Sequence, residues 1–96
     1  MPIIYHIDKD LEHDREVVER IAGKNVEGKL SGYLKKYSPE ETSIELFIEG
    51  QRNQFNGKLH VNLGGEIHHF ARESYQNLDD LINNLFQHLK EALSAK

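Results

Sequence analysis

Six histidines are the first residues whose chemistry could build a site. Imidazole binds transition metals and moves protons near neutral pH. His68 and His69 are adjacent, and neighbouring side chains on a strand point to opposite faces, so the pair cannot hold one ion together. His60 could meet one of them across a hairpin, with no carboxylate arrangement to complete a familiar ligand set. His6, His13 and His88 stand apart. Cysteine is absent, which removes disulfides, thiolate nucleophiles and Cys-based zinc sites. No nucleophile motif, phosphate-cradling glycine loop or metalloprotease helix is present, and Gly64-Gly65 lacks the downstream helix that a phosphate loop needs. Glu45 and Glu49 share a strand face at a spacing too long for a tight carboxylate pair. The expectation is a non-enzyme with no catalytic residues, no metal and no cofactor.

Lysine offers a different chemistry. Between Lys24 and Tyr37 the chain carries Lys24, Lys29, Lys35 and Lys36 against Glu27 alone. Lys29 and Lys36 lie seven apart and share a helix face, with Lys24 and Lys35 flanking it. Ammonium groups on a helix can neutralise phosphates without reading sequence, which suits structured RNA recognised by shape. A solvated helix face explains the same pattern. Arg52, Lys58 and Arg72 could extend the surface at the strand ends. Tyr33 and Tyr37 could stack on a base, although their register with Val26 and Leu30 fits the core better. The stretch from Asp8 to Glu19 has the opposite sign, with Asp8, Asp10, Glu12, Asp14, Glu16 and Glu19 against Lys9 and Arg15. The whole chain, with 12 Lys+Arg and 16 Asp+Glu, carries −4, so it does not coat nucleic acid by charge alone.

The elements that position these residues follow from periodicity. Residues 2–7 read as a short strand, with Pro2 tolerated only at its start or at an edge. Asp8 to His13 is a charged connector, and Asp14 can cap a helix bearing Val17, Val18 and Ile21. At Gly23 two readings diverge. The helix ends on a left-handed glycine and a second one begins, or it runs on through Val26, Leu30, Tyr33 and Tyr37 at steps of four, three and four. The second is preferred, although Gly23, Gly28 and Gly32 each cost about 1 kcal/mol relative to Ala. Pro39 stops extension beyond Ser38.

Ser43–Glu49 and Phe55–Leu63 alternate as strands, with Ile44, Leu46, Ile48, Phe55, Leu59, Val61 and Leu63 facing inward. Gly64-Gly65 marks a tight hairpin. The returning strand spans Glu66 to Ala71. A two-residue turn puts His68 and Phe70 on the face of Val61 and Leu59; a three-residue loop puts Ile67, His69 and Ala71 there. A final helix, capped by Ser74, carries Tyr75, Leu78, Leu81, Ile82, Leu85, Phe86, Leu89, Ala92 and Leu93 on one stripe. Asp79, Asp80 and Lys90 suit its dipole.

These elements predict an α+β two-layer sandwich, β-α-β-β-β-α, with two helices on one face of a four-stranded, mostly antiparallel sheet. The other face, with Glu45, Phe47, Glu49, Lys58, His60 and Asn62, is left to solvent. A length of 96 residues predicts a single domain, 1–96. No apolar run is long enough to span a bilayer and the first residues lack an export signal, so the expectation is a cytoplasmic protein without membrane or DNA partners.

KLSGYLKKY (29–37), GKLHVNLGGEI (57–67) and RESYQNLDDLINNL (72–85), in this order, resemble the bacterial ribosome hibernation-promoting factor family, also called factor Y or ribosome-associated inhibitors. The match runs from about Val26 to Leu93. The resemblance implies a fold shaped like double-stranded RNA-binding domains and a translation inhibitor. Its partner would be the small ribosomal subunit, bound in the channel used by messenger and transfer RNA. By position, Lys29, Lys35 and Lys36 match the basic end of the family's first helix, and Lys24 lies near it. The chain departs from the pattern at Asn84 and Gln87, where the family carries basic residues on its last helix. Its first helical region is longer and starts acidic. It resembles the short form, without an appended dimerisation domain. The alternative is a divergent member that keeps the fold and binds a protein partner.

Overall fold

The computed structural model describes residues 3–51 and 53–95, with the side chain of Gln51 outside the description. Pro2 and Arg52 therefore lie outside the described residues. The chain runs β1 (Ile4–Ile7), a 3-10 turn (Lys9–Asp14), α1 (Arg15–Gly28), α2 (Ser31–Leu34), a second 3-10 turn (Pro39–Glu41), β2 (Thr42–Gln51), β3 (Gln54–Leu63), β4 (Glu66–Tyr75) and α3 (Leu78–Ser94). The strands form one sheet in the order β1-β2-β3-β4. β1 joins β2 in parallel, while β2, β3 and β4 form an antiparallel meander. This is the α+β sandwich that the patterning predicts.

The hairpin resolves the open register. Leu63 pairs with Glu66 across a two-residue turn, so His68 opposes Val61 and Phe70 opposes Leu59 on the inner face. Gly64 and Gly65 both take positive φ, 61° and 93°. A side chain at Gly64 would be strained and would also meet the Tyr37 ring at 3.2 Å.

Alternation fills the space between the layers. Ile44, Leu46 and Ile48 from β2 and Leu59, Val61 and Leu63 from β3 are buried under Val18, Ile21, Ala22 and Val26 of α1 and Leu81, Ile82, Leu85, Phe86 and Leu89 of α3. α3 sits close on the sheet at Gly57, where a Cβ would meet Leu85 at 3.0 Å. The layers are also tied by a polar contact. Buried Asn25 of α1 donates from Nδ2 to the Ile21 carbonyl at 2.9 Å and to Asn83 Oδ1 of α3 at 2.8 Å.

Four local readings are corrected. The helix does not run unbroken to Tyr37: α1 ends at Gly28, where the Asn25 carbonyl accepts from both Lys29 and Leu30, and a single turn resumes at Ser31. The break keeps Leu30 and Leu34 buried despite the unfavourable glycines. β4 extends to Tyr75 instead of stopping at Ala71, because Tyr75 still pairs with Phe55 beyond an irregularity at Phe55/Gly57. Ser74 therefore does not cap α3. It sits at φ 62° with its N–H on Asn56 Oδ1 at 2.9 Å, and Asn77 is the residue before the helix. The connector after β1 is a 3-10 turn that buries Leu11 against Gly50, and Asp14 makes no side-chain cap bond.

Candidate nucleic-acid interface

Lys24 projects from α1, Lys29 lies in the turn between α1 and α2, and Lys35 and Lys36 follow α2 directly. The break at Lys29-Leu30 converts one helix face into a corner. Its lysines belong to α1, the turn after it and the turn after α2. Lys24, Lys35 and Lys36 are exposed, and Lys29 is partly buried. None of the four forms an ion pair with a described residue. Arg15 differs: it is held by Glu12 and lies 3.8 Å from Glu19, and those carboxylates keep its guanidinium firmly protonated. Tyr33 and Tyr37 pack against the core, the plainer of their two sequence readings.

The other basic candidates fall elsewhere. Lys58 is exposed on the outer face of the sheet, opposite Phe47 and Ala71. Arg72 is folded onto α3, donating from Nε to Asn84 Oδ1 at 2.9 Å and from Nη1 to the Ala71 carbonyl at 2.7 Å, with Nη2 against His88. Three of its five N–H groups are thereby engaged within the fold. Arg52 is not described. Lys24, Lys29, Lys35 and Lys36 thus follow one another along α1, α2 and the turns beside them, whereas Lys58 lies on the outer face of the sheet and Arg72 against α3.

Beside the corner lies a shallow, mostly apolar depression of about 240 Å³, lined by Val26, Glu27, Ser31, Leu34 and Lys35. α3 contributes little positive charge, with Lys90 against Asp79, Asp80 and Glu91. Asn83 and Asn84 are engaged with Asn25 and Arg72, and Gln87 Nε2 donates weakly to Glu91 at 3.5 Å.

Sequence reasoning missed one constellation. On the outer face, His6 stacks on Phe47 with ring centroids 4.3 Å apart, Phe47 meets His60 at 4.9 Å, and His60 stacks on His69 at 4.2 Å. The row crosses all four strands. Burial and the nearby His69 lower the His60 pKa, opposed by Glu45, which lies across from it on β2. The signal in the sequence was partial: Phe47 and His60 are outward by alternation, but His6 joins only through the long-range parallel pairing of β1. Among the described residues no group of three or more His, Asp or Glu is placed to hold a metal ion. No described helix is long and apolar enough to cross a membrane.

The β-α-β-β-β-α sandwich is a fold that solved structures already display. The chain is similar to a ribosomal subunit interface protein from Coxiella burnetii, with TM-score 0.62 and 18% identity over 99% of this chain and 96% of that one. It is also similar to the Protein Y N-terminal domain from Thermus thermophilus, with TM-score 0.66 and 17% identity over 99% of this chain and 98% of that one. No family model and no curated protein sequence matches the chain. The fold that the sequence resemblance implied is the fold the chain has.

Proposed function

We propose that the protein is a ribosome-associated translation inhibitor of the hibernation type, acting in the cytoplasm as a single domain. Its partner is the small ribosomal subunit, and it occupies the channel used by messenger and transfer RNA. One observation carries the reading: four lysines without described ion-pair partners follow α1 and α2 in a fold whose structural neighbours, matched over nearly their whole chains, are named for the ribosomal subunit interface and the Protein Y N-terminal domain.

The mechanism needs no bond making. Lys24, Lys29, Lys35 and Lys36 displace counterions from rRNA phosphates, a contribution that weakens as salt rises. A chain of net charge −4 is repelled by RNA elsewhere, so the acidic start of α1 and the first turn of α3 orient the molecule corner first. The body, 39 × 23 × 21 Å, then excludes other ligands sterically.

Sedimentation of the protein with small subunits through sucrose, at about 50 mM and about 200 mM salt, tests this. Salt-sensitive co-sedimentation that messenger and transfer RNA compete away is expected. Absence of binding at the lower salt overturns the reading. The depression beside Lys35 favours one alternative, a protein partner that seats an apolar side chain between Val26 and Leu34. Binding that survives high salt and ignores RNA competitors would select it.

A further inference from the structure

The row of rings ends at a free edge. β4 is the outermost strand and ten residues long, whereas the opposite edge, β1, has four. The tight turn at Gly64-Gly65 makes Leu63 and Glu66 a hydrogen-bonded pair. Alternation then turns the backbone groups of Glu66, His68, Phe70 and Arg72 toward β3 and those of Ile67, His69 and Ala71 out of the sheet. Natural edges of this length are usually blunted by charge, proline or a bulge. Here the outward-bonding residues are isoleucine, histidine and alanine, and Ile67 is 62% exposed. The irregularities, Ser74 and the register shift near Phe55, lie beyond Arg72.

We propose that β4 is a self-association edge, on which a second copy of this chain pairs antiparallel along residues 66–72 about a two-fold axis at His69. The occupant follows from self-complementarity. In this register Glu66 of each copy faces Arg72 of the other, Ile67 faces Ala71, His68 faces Phe70, and His69 faces its own copy. Neighbouring registers are worse. With the axis at His68, Glu66 faces Phe70; with the axis at Phe70, His68 faces Arg72 and Ile67 faces Glu73. Only the His69 register places opposite charges together and keeps Ile67 against an apolar partner, and opposite-charge and apolar cross-strand pairs are the favourable ones.

The pairing adds about six backbone hydrogen bonds, two for each of the three pairs formed by residues 67, 69 and 71. It also continues the ladder already present. His60 and His69, directly opposite within one chain, stack at 4.2 Å, and His69 then meets its own copy across the axis on the same face. The product is one eight-stranded sheet, with the lysine corner belonging to the helical layer of each copy.

Sedimentation equilibrium of the full chain, from about 5 µM to about 500 µM, tests the proposal without any ribosome. The expected result is concentration-dependent conversion from 11.1 kDa to twice that mass. Ile67→Lys, at an exposed side chain, should weaken the dimer at least tenfold with an unchanged circular dichroism spectrum. Adding Ala71→Glu places opposite charges across the axis and should restore it. A wild-type chain that stays monomeric throughout overturns the proposal. So does a dimer unaffected by Ile67→Lys, or one that the Ala71→Glu partner change fails to rescue.

Discussion

The two long helices lie side by side on the same sheet and spend their polar residues differently. α3 carries seven buried apolar residues, and its Asn83 and Asn84 are consumed by Asn25 and Arg72. α1 and the turns after it leave Lys24, Lys29, Lys35 and Lys36 unpaired with described residues. Both present hydrophilic side chains to the outside, so composition alone would rank them alike. What separates them is whether a donor already has a partner inside the fold. A satisfied donor stabilises the molecule, and one without an internal partner can bind phosphate at little structural cost. α3 is thus the anchor, and the α1–α2 corner is the surface proposed to meet rRNA.

The sharpest break of this contrast is the triple reversal Lys29→Glu, Lys35→Glu and Lys36→Glu. It should abolish ribosome association, a loss of at least about tenfold at moderate salt, with little change in melting temperature. Co-sedimentation beside thermal melts measures both. Phe86→Ala should do the reverse. It empties a fully buried site of α3 and should cost about 3–5 kcal/mol in urea unfolding, while the surviving folded fraction keeps its salt-dependent binding.

Asn83→Leu probes the tie between the helices. It leaves one donor of buried Asn25 without its partner and should cost about 1–3 kcal/mol in the same unfolding assay. The smallest effect belongs to the outer face. Burial and His69 hold the His60 imidazole below its usual range. The folded state therefore binds fewer protons than the unfolded chain. This stability is fully present above the unfolded value of 6.5 and is lost as pH falls from there through the lowered folded value. His60→Gln should flatten that decline in melts compared between about pH 7.5 and about pH 5.

Legibility in the sequence followed the range of the interactions. Alternation over Ile44, Leu46 and Ile48 and the stripe from Leu78 to Leu93 report burial locally, and the sandwich followed from them. The lysine corner was visible as a cluster but not as a corner. Val26, Leu30, Tyr33 and Tyr37 keep helical spacing across a break, since α2 resumes with its buried residues on the core side. Tyr75 was assigned to the helical stripe because its pairing with Phe55 depends on a strand irregularity that no local pattern marks. Arg72 read as a surface cation until the longer β4 placed it against Asn84 and His88. His6 entered the ring ladder through a partner strand some forty positions away.

The central claim is that the α1–α2 corner, and no other basic surface, meets the ribosome. Mass spectrometry of lysine acetylation, on the dilute free protein and with small subunits added, tests it residue by residue. Protection of Lys24, Lys29, Lys35 and Lys36, with Lys58 and Lys90 as reactive as in the free chain, is the predicted result. Protection of Lys58 or Lys90 while the corner lysines stay reactive would contradict it.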